Sequence, residues 1–473
     1  MRAVPDVLVG VDLGLSFLKL AAFDRAGRCV GRGQAAYRTE RPAPGLAEQD
    51  PEQWIDLAGG IVRQLVAEGR FRPEDVVGIA PSARGSGAVF VDADGCVLAP
   101  HWLDDRHAPQ ARYLIERFGH EADNRALASK TLHFKEHHPE LFARLRHPLY
   151  VHDFLLYRMT GVVATDPASG PRAESGEWPR DVWAFVGATP PPVRPMTELI
   201  GRLVPETAER LGLPVGIAVA NGAHDGACAN IGAWAIRVGQ VCMTMGTNGV
   251  ARSIGDRPAP QVPWRGISAY HFLPGRWCCG GDATFAGHAA TWLAGVVGAG
   301  HDALEPEARQ VPPGANGVVF LPFLHGQIAP ERRADARAAF IGMSEATGRA
   351  ELYRATLEGV AYLYRSIAAR LAELGFGGGE WRVSGGGARN ALWMEVMAAL
   401  LERPLLIVEP EEGPRGAAMC AAVALGWYPS VEACADEWVR VTRIAEPRPE
   451  LTEAYLPLYE RYLRLDEAVY NAR

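Results

Sequence analysis

A strand, a glycine-containing turn and a second strand occur together twice, about half a chain apart, and this repeat constrains the fold most. The first copy covers residues 7–12, 14 and 17–23, and the second covers residues 241–245, 246–249 and 250–252. Tight turns between apolar runs of this length predict β-hairpins. Two hairpins at corresponding places predict two domains of similar build. With 473 residues, each half is long enough to bury its own core.

Helical and strand patterns alternate in the rest of the chain. A helical spacing connects Val360, Leu363, Ile367, Leu371 and Leu374. We predict that Thr347 caps this helix and that Gly375 ends it. A strand over 381–384, a helix over 391–401 and a strand over 404–408 follow. The alternation predicts an α/β chain with mixed sheets, and we place the domain boundary near residue 236, which gives domains 1–236 and 237–473.

Composition limits the classes of partner. The 55 acidic and 48 basic residues give a formal charge of −7, and no block of like charges is present, so we expect no nucleic-acid or membrane-surface partner. The N-terminal residues lack a signal-peptide pattern and no apolar run is long enough to span a membrane. We therefore expect a cytoplasmic protein whose eight cysteines stay reduced.

The two hairpin turns are candidate phosphate sites. The first contains Gly14, Leu15 and Ser16, and Gly14 lets another group approach the backbone N–H groups closely. Asp12 at the strand end is a candidate Mg²⁺ ligand. An ordinary tight turn with a capping aspartate is the alternative. The second turn contains Gly246, Thr247 and Asn248, and a pair of such turns facing one cleft is more informative than either turn.

A third glycine cluster lies between a predicted strand and a predicted helix. Gly385, Gly386 and Gly387 allow a flat approach by a ribose or purine, and the helix that begins after Asn390 favours a nearby anion. A flexible connection is the alternative. The spacing differs from a dinucleotide-binding fingerprint.

Asp225 is the candidate general base. It follows an apolar strand and has small neighbours, which leave room for a substrate. An enzyme that activates a hydroxyl group needs a base within hydrogen-bond reach of it. A structural helix cap is the alternative for Asp225, and a satisfied structural histidine is the favoured interpretation of His224.

Several segments together resemble the FGGY family of carbohydrate kinases over nearly the whole chain. The most specific is Ala338-x-Phe340-x-Gly342-Met343, seven residues, then Glu351-Leu352-x-x-Ala355-Thr356-Leu357-Glu358. Four shorter segments agree: Gly45-x-x-Glu48-Gln49-Asp50-Pro51, Trp102-x-Asp104-x-Arg106, Tyr157-Arg158-x-Thr160-Gly161 and Leu321-Pro322-Phe323-Leu324-x-Gly326.

The resemblance implies two ribonuclease-H-like domains of the actin and hexokinase type, with ATP in an interdomain cleft and Mg²⁺ on its phosphates. It implies that Asp225 is the base and that Asp12 and Asp225 hold the metal. The first turn and the pair Gly246 and Thr247 would bind phosphates, and the run from Gly385 to Asn390 would border the adenosine. It places Arg84, Gly85, Ser86 and Trp102 at the acceptor pocket.

The implied substrate is a small sugar or polyol, a pentulose such as xylulose or an erythritol-like polyol. Gly85 and Ser86 stand where some members have a Met-His pair, which opens space, and Arg84 adds a cation. In the alternative, Arg84 pairs with an acidic neighbour and touches no ligand. Leu15 replaces a usual threonine. Two other functions stay open. An actin-like ATP-driven switch or chaperone would share the fold, and a catalytically weak sugar-binding regulator is the function for which Leu15 argues. A homodimer is one option for the oligomeric state, which the sequence does not fix.

Overall fold

The computed structural model describes residues 6–14, 17–85, 87–119, 126–246, 248–258, 266–283 and 286–470. It contains two compact units. The first comprises Met1–Trp234, Tyr270–Gly275 and Glu411–Val439, and the second comprises Ala235–Ala269, Arg276–Pro410 and Arg440–Arg473. Because these units follow packing and not sequence, the domain limits 1–236 and 237–473 stay a prediction.

The strands are β1 (Val7–Leu13), β2 (Phe17–Phe23), β3 (Cys29–Ala36), β4 (Glu48–Gln49), β5 (Val76–Ala83), β6 (Val89–Val91), β7 (His101–Trp102), β8 (His147–Leu149), β9 (Leu199–Arg202), β10 (Ala218–Ala220), β11 (Ala223–His224), β12 (Val241–Met245), β13 (Gly249–Gly255), β14 (Ile267–His271), β15 (Trp277–Ala283), β16 (Val319–Leu321), β17 (Ala339–Ile341), β18 (Trp381–Ser384), β19 (Leu405–Val408) and β20 (Val441–Ala445).

The α-helices are α1 (Gln53–Ala67), α2 (Ala108–Phe118), α3 (Leu127–His137), α4 (Pro139–Phe142), α5 (Val151–Thr160), α6 (Arg180–Val186), α7 (Pro205–Leu211), α8 (Asp225–Gly232), α9 (Ala286–Val297), α10 (His301–Gln310), α11 (Arg349–Glu373), α12 (Ala391–Leu401), α13 (Glu412–Ala424), α14 (Val431–Trp438) and α15 (Pro449–Tyr470). Short 3₁₀ turns cover Pro73–Asp75, Ala315–Gly317 and Gly386–Arg389. None of the helices in the described part of the chain has the length and apolar character that crossing a membrane requires.

The two large sheets share one plan. The order in the first is β3-β2-β1-β5-β10-β9, with β11 also paired to β5, and the order in the second is β14-β15-β13-β12-β18-β19-β20. In each, one strand of the predicted hairpin lies beside a parallel strand, a second parallel strand follows, and an antiparallel strand closes that edge. The two hairpins and the α/β class are therefore confirmed.

The apolar patterns account for the cores. Strand β1 is buried along its whole length, as expected for a strand covered on both faces. Helix α11 buries the predicted face, and Gly375 follows its end with φ +83°. The predicted cap is wrong by one residue, because Gly348 precedes the first helical residue. Thr347 instead accepts a hydrogen bond at its hydroxyl from the Ser344 amide at 2.9 Å.

Helix α13 packs backbone to backbone within the first unit. A Cβ atom added at Gly10 in β1 would lie 1.8 Å from the Pro414 carbonyl oxygen, and one at Gly232 would lie 1.9 Å from that of Glu412. A Cβ atom at Gly416 would lie 1.9 Å from the Cys228 carbonyl oxygen. Pro414 is tolerated because it falls in the first turn, where the backbone N–H has no helical acceptor. The glycines therefore allow α13 to touch both β1 and α8.

This packing predicts that Gly416→Ala destabilises the protein by about 1–3 kcal/mol, since the added methyl group must displace the backbone of α8. Gly60→Ala is the matched control, because Gly60 also lies inside a helix but has no atom within 4 Å of an added Cβ. The control should keep or raise the free energy of unfolding, by about 0.5–1 kcal/mol. Denaturant unfolding measures both, and equal effects would contradict the close packing.

Candidate functional site

Most of the described site residues that were predicted in the first unit lie at one edge of its large sheet. Strands β1 and β11 both run parallel to β5, and their pairing places Asp12 and Ala223 on either side of Ser82. The carboxyl ends of parallel strands meet at the same edge, where ligands bind in open α/β sheets. The structure therefore brings the first turn, the segment after β5 and the start of α8 together.

Asp12 is a buried carboxylate with acidic neighbours. It is 8% exposed, and the Ser82 hydroxyl donates a hydrogen bond to its Oδ1 at 2.6 Å. Burial raises the pKa of Asp12 from 3.8 to about 7, and the negative charges of Asp225 and Glu412 act in the same direction, against Lys19 and Ser82. Asp12 is thus a buried carboxylate with two acidic neighbours and one basic neighbour.

This donor set fits a magnesium ion. In the described ranges, no three His, Cys, Asp or Glu side chains come together as a metal-binding cluster. Mg²⁺ does not need such a cluster, because it usually takes one or two carboxylates together with substrate phosphates and water. Asp12 and Asp225 can supply those carboxylates. A divalent cation would also stabilise the ionised form of Asp12, whose pKa is raised first by burial and then by the charges of Asp225 and Glu412.

Arg84 supports the first turn through a hydrogen bond to its backbone. Its Nη1 donates to the Gly14 carbonyl at 2.8 Å and its Nη2 donates to Gln49 Oε1 at 2.9 Å. The guanidinium also lies over the rings of Tyr37 and Trp54. Arg84 is only 3% exposed, so these contacts favour support of the turn over contact with a substrate. The hydrogen-bond acceptors of Arg84 are the Gly14 carbonyl and the neutral amide of Gln49. The alternative from the sequence, in which Arg84 pairs with an acidic neighbour, had expected a carboxylate.

Of the other residues predicted for this part of the site, some are described by the structure and some are not. The Gly14 amide donates to the Phe17 carbonyl at 3.1 Å, which closes the turn, whereas Leu15 and Ser16 lie outside the described residues. Gly85 is buried and lies two residues after the end of β5, and Ser86 also lies outside the described residues.

Trp102 lies in a buried aromatic cluster. It is 2% exposed and packs against Phe90 at a ring distance of 5.6 Å. Its carbonyl accepts a hydrogen bond from Lys130 Nζ at 2.5 Å, and the Arg106 guanidinium lies 4.9 Å from its ring. This burial favours a supporting role in the acceptor region, and a contact between Trp102 and a substrate stays a prediction.

Asp225 is the first residue of α8, and two neighbours hold one of its oxygens. The Gly226 amide donates to Oδ1 at 2.6 Å, and His224 Nε2 lies 3.0 Å from the same oxygen. The side chain is 35% exposed. The residue at the N-cap of α8 is His224, and both His224 and Asp225 accept the Gly226 amide.

The segment before Asp225 is rigidly held. Asn221 Nδ2 donates to the carbonyls of Arg194 at 2.8 Å and Pro195 at 3.1 Å. The Asn221 carbonyl lies 2.6 Å from His152 Nε2. Gly222 has φ +69°, and an added Cβ atom would lie 1.9 Å from the Pro81 carbonyl oxygen. These contacts fix the entry to α8 and therefore the position of Asp225.

The glycine runs of the second unit also share one edge. Strands β12 and β18 are parallel with Thr244 beside Ser384, so Gly246 and Gly385 follow neighbouring strand ends. Gly385 has φ +93°, and an added Cβ atom would lie 2.7 Å from the Met245 carbonyl. Gly386 is exposed and Gly387 is half-buried. The two runs are thus adjacent, as a shared nucleotide site requires.

Three more residues were predicted at this edge of the second sheet, and the structure describes two of them. Asn390 caps α12, because its Oδ1 accepts a hydrogen bond from the Trp393 amide at 2.8 Å. Its Nδ2 donates to the Tyr353 hydroxyl at 3.3 Å. Asn248 is half-buried, and Thr247 lies outside the described residues. The cap does not exclude a nucleotide beside Asn390, whose role there stays a prediction.

Sequence reasoning missed four residues that surround the site: Ser82, Lys19, Gln49 and Glu412. Ser82 and Lys19 are paired with Asp12 across the sheet, so strand register could have revealed them. Gln49 belongs to one of the segments that resemble the family, but no role was assigned to it. Glu412 carried no local signal, because it is about 400 residues away in sequence.

Two family models match the chain. The model described as the FGGY family of carbohydrate kinases, N-terminal domain, matches residues 7–232. The model for the C-terminal domain of the same family matches residues 241–425. Together they cover most of the chain, and each match contains one of the two hairpins.

Curated and solved relatives agree with these models. A xylulose kinase of Staphylococcus epidermidis is 29% identical over 99% of this chain and 97% of its own length. A xylulose kinase of Bacillus subtilis is 29% identical over 96% and 95%. The crystal structure of xylulose kinase from Rhodospirillum rubrum superposes with a TM-score of 0.85 at 27% identity, covering 98% of both chains. The chain is similar to each over its full extent.

The electrostatics of Asp12 predict a pH-dependent stability difference between the protein and its Asp12→Asn variant. The pKa of Asp12 rises on folding to about 7, so the folded state binds this proton more tightly than the unfolded state. Ionisation therefore costs stability as the pH rises from about 4 to about 7. Without metal or nucleotide, the variant should gain about 2 kcal/mol relative to the parent between pH 5 and pH 8. Denaturant unfolding across this range measures the gain, and parallel pH profiles would contradict the buried state of Asp12.

Proposed function

Since the chain belongs to the FGGY family of carbohydrate kinases, we propose that it phosphorylates a small sugar with Asp225 as the general base. The kinase activity follows from the family, and ATP is its phosphoryl donor. The alternatives of an actin-like switch and of a weak regulator are not favoured, because the relatives matched over the full chain are named kinases. What remains proposed is the base, the metal and the acceptor.

The observation that carries the proposal is the environment of Asp225. Both hydrogen-bonding neighbours lie against Oδ1, and the side chain keeps about a third of its surface exposed. Oδ2 is then the oxygen that can receive a proton from a bound hydroxyl. Asp225 also lies close enough to raise the pKa of Asp12 electrostatically, which supports a common site for the base and the phosphate-binding turn.

The proposed reaction is a direct transfer. The acceptor hydroxyl donates its proton to Asp225 Oδ2 as its oxygen forms a bond to the γ-phosphorus of ATP. The bond between the γ-phosphorus and the oxygen bridging to the β-phosphate breaks, and ADP leaves with that electron pair. Such transfer depends mainly on positioning and charge stabilisation. Asp225 removes the proton, and the turn at Gly14, fixed by Arg84, orients the phosphates.

On the nucleotide side, we propose contacts for each unit taken by itself. Mg²⁺, held by Asp12 and Asp225, would neutralise charge on the phosphates. Leu15 and Ser16 would contribute to the first phosphate turn, and Gly246, Thr247 and Asn248 to the second. Gly385, Gly386, Gly387 and Asn390 would border the adenosine. The adjacency of Gly246 and Gly385 in one sheet supports this assignment.

For the acceptor, we propose a pentulose such as xylulose or an erythritol-like polyol. Two relatives named xylulose kinase support the pentulose. Gly85 and Ser86 would line the acceptor, where small side chains leave space. Arg84 and Trp102 are buried against other residues, and we propose that they shape this region through their neighbours.

The first test is Asp225→Asn. Loss of the base should lower kcat by about 10²-fold or more while ADP binding and the Tm are kept. Asp181→Asn is the matched control, since Asp181 is also in the first turn of a helix and accepts the amide of the next residue at 3.0 Å. A coupled ATP-consumption assay and nucleotide titration give both readouts. Near-normal turnover of Asp225→Asn would remove Asp225 from the mechanism.

The second test compares acceptors. We expect kcat/KM for D-xylulose, L-xylulose or erythritol to exceed the values for glycerol and gluconate, because the segment after β5 has small side chains at Gly85 and Ser86. The sugars are compared at saturating ATP in the same coupled assay. A ten-fold or greater preference for glycerol or gluconate over all the others would overturn the proposed acceptor and leave the kinase activity intact.

A further inference from the structure

We propose that His224 is a positioning residue that fixes the orientation of the Asp225 carboxylate by donating a hydrogen bond from Nε2 of its ring. This inference rests on the proposed function, in which Asp225 is the base. It changes the role of His224 from the structural histidine expected from the sequence to a part of the catalytic arrangement.

The position of His224 leaves its ring little freedom. Its backbone belongs to β11, which pairs with β5 so that His224 lies beside Ala83. The side chain is 9% exposed. Its Nδ1 accepts a hydrogen bond from the Gly226 amide at 3.1 Å, which caps α8. A ring held at the backbone and at Nδ1 presents Nε2 in a defined direction.

The cap determines which ring nitrogen carries the proton. A backbone amide can only donate, so Nδ1 must act as the acceptor and cannot carry a proton. A neutral imidazole then has its proton on Nε2. Nε2 lies 3.0 Å from Asp225 Oδ1, which is hydrogen-bonding distance. His224 therefore donates to Oδ1, the same oxygen that receives the Gly226 amide.

The two oxygens of the Asp225 carboxylate therefore have different roles. Oδ1 is held by His224 Nε2 and by the Gly226 amide, which shares its single hydrogen between Oδ1 and His224 Nδ1. Oδ2 is left to meet the acceptor hydroxyl. Rotation of the carboxylate would break the contacts of Oδ1 with His224 Nε2 and with the Gly226 amide. The base therefore keeps one orientation before the sugar binds. Pre-orientation of a reacting group lowers the barrier without changing ground-state affinity for the sugar.

Two substitutions separate the functions of the ring nitrogens. In His224→Asn, the amide oxygen can replace Nδ1 as the cap acceptor, but no donor reaches Asp225. In His224→Gln, the amide nitrogen can replace Nε2 as the donor, but the cap acceptor is lost. Each variant thus keeps one contact and removes the other.

We expect one variant to lose activity and keep its stability, and the other to keep activity and lose stability. His224→Asn should lower kcat about ten-fold with KM for the sugar changed less than two-fold, and should keep the Tm, because asparagine is a good cap. His224→Gln should keep kcat within about three-fold and lower the Tm by about 2–4 °C. A purely structural role would make kcat follow the Tm.

The inference is overturned if His224→Gln loses more kcat than His224→Asn, if neither changes kcat, or if only KM for the sugar changes. A measurement on the unmodified protein gives an independent check. ¹⁵N spectra of labelled histidine should show His224 protonated at Nε2 and unprotonated at Nδ1 at neutral pH, and the other tautomer would overturn the inference. Near-normal kcat of Asp225→Asn would instead refute the general base and so the proposed function itself.

Discussion

The close approach of α13 to β1 and α8 is the constraint on which the candidate site depends. Gly10, Gly232 and Gly416 leave no space for a Cβ atom where these elements cross. The same contact brings Gly413 so near to Asp12 that an added Cβ atom would lie 2.6 Å from Oδ2. Helix α13, from the last quarter of the sequence, thereby forms one wall of the site at the end of β1. It also packs against α8, the helix that begins with Asp225.

The packing of α13 against β1 and α8 is accompanied by the burial of charged side chains, which is unfavourable for stability. Asp12, Asp225 and Glu412 are close enough for the last two to raise the pKa of Asp12, although burial is the largest cause. Arg84 is buried as well and meets a carbonyl, an amide and two aromatic rings in place of a carboxylate. Isolated buried charges of this kind destabilise a fold. Their presence at one sheet edge is typical of functional sites, where such charges act on a ligand.

The sequence predicted much of the fold, but not the contacts of the candidate site residues. Apolar periodicity located the two hairpins and α11 because strand and helix periods depend on neighbouring residues. The roles of Arg84 and Glu412 depend on partners far apart in the chain, Gln49 in one case and Asp12 in the other. Trp102 and Arg84 were expected at an acceptor pocket, and both are buried. Local patterns cannot separate a side chain that touches a ligand from one that supports it.

The central claim is that Asp225 removes a proton and does not itself accept the phosphoryl group. The stereochemical course of transfer from ATP with a chiral γ-thiophosphoryl group tests it most directly, because a carboxylate at the same position could act as a nucleophile. A single direct transfer to the sugar hydroxyl inverts the configuration at phosphorus, and this is the predicted result. Net retention would require two transfers through a phosphorylated residue, and it would contradict the assignment of Asp225 as a general base.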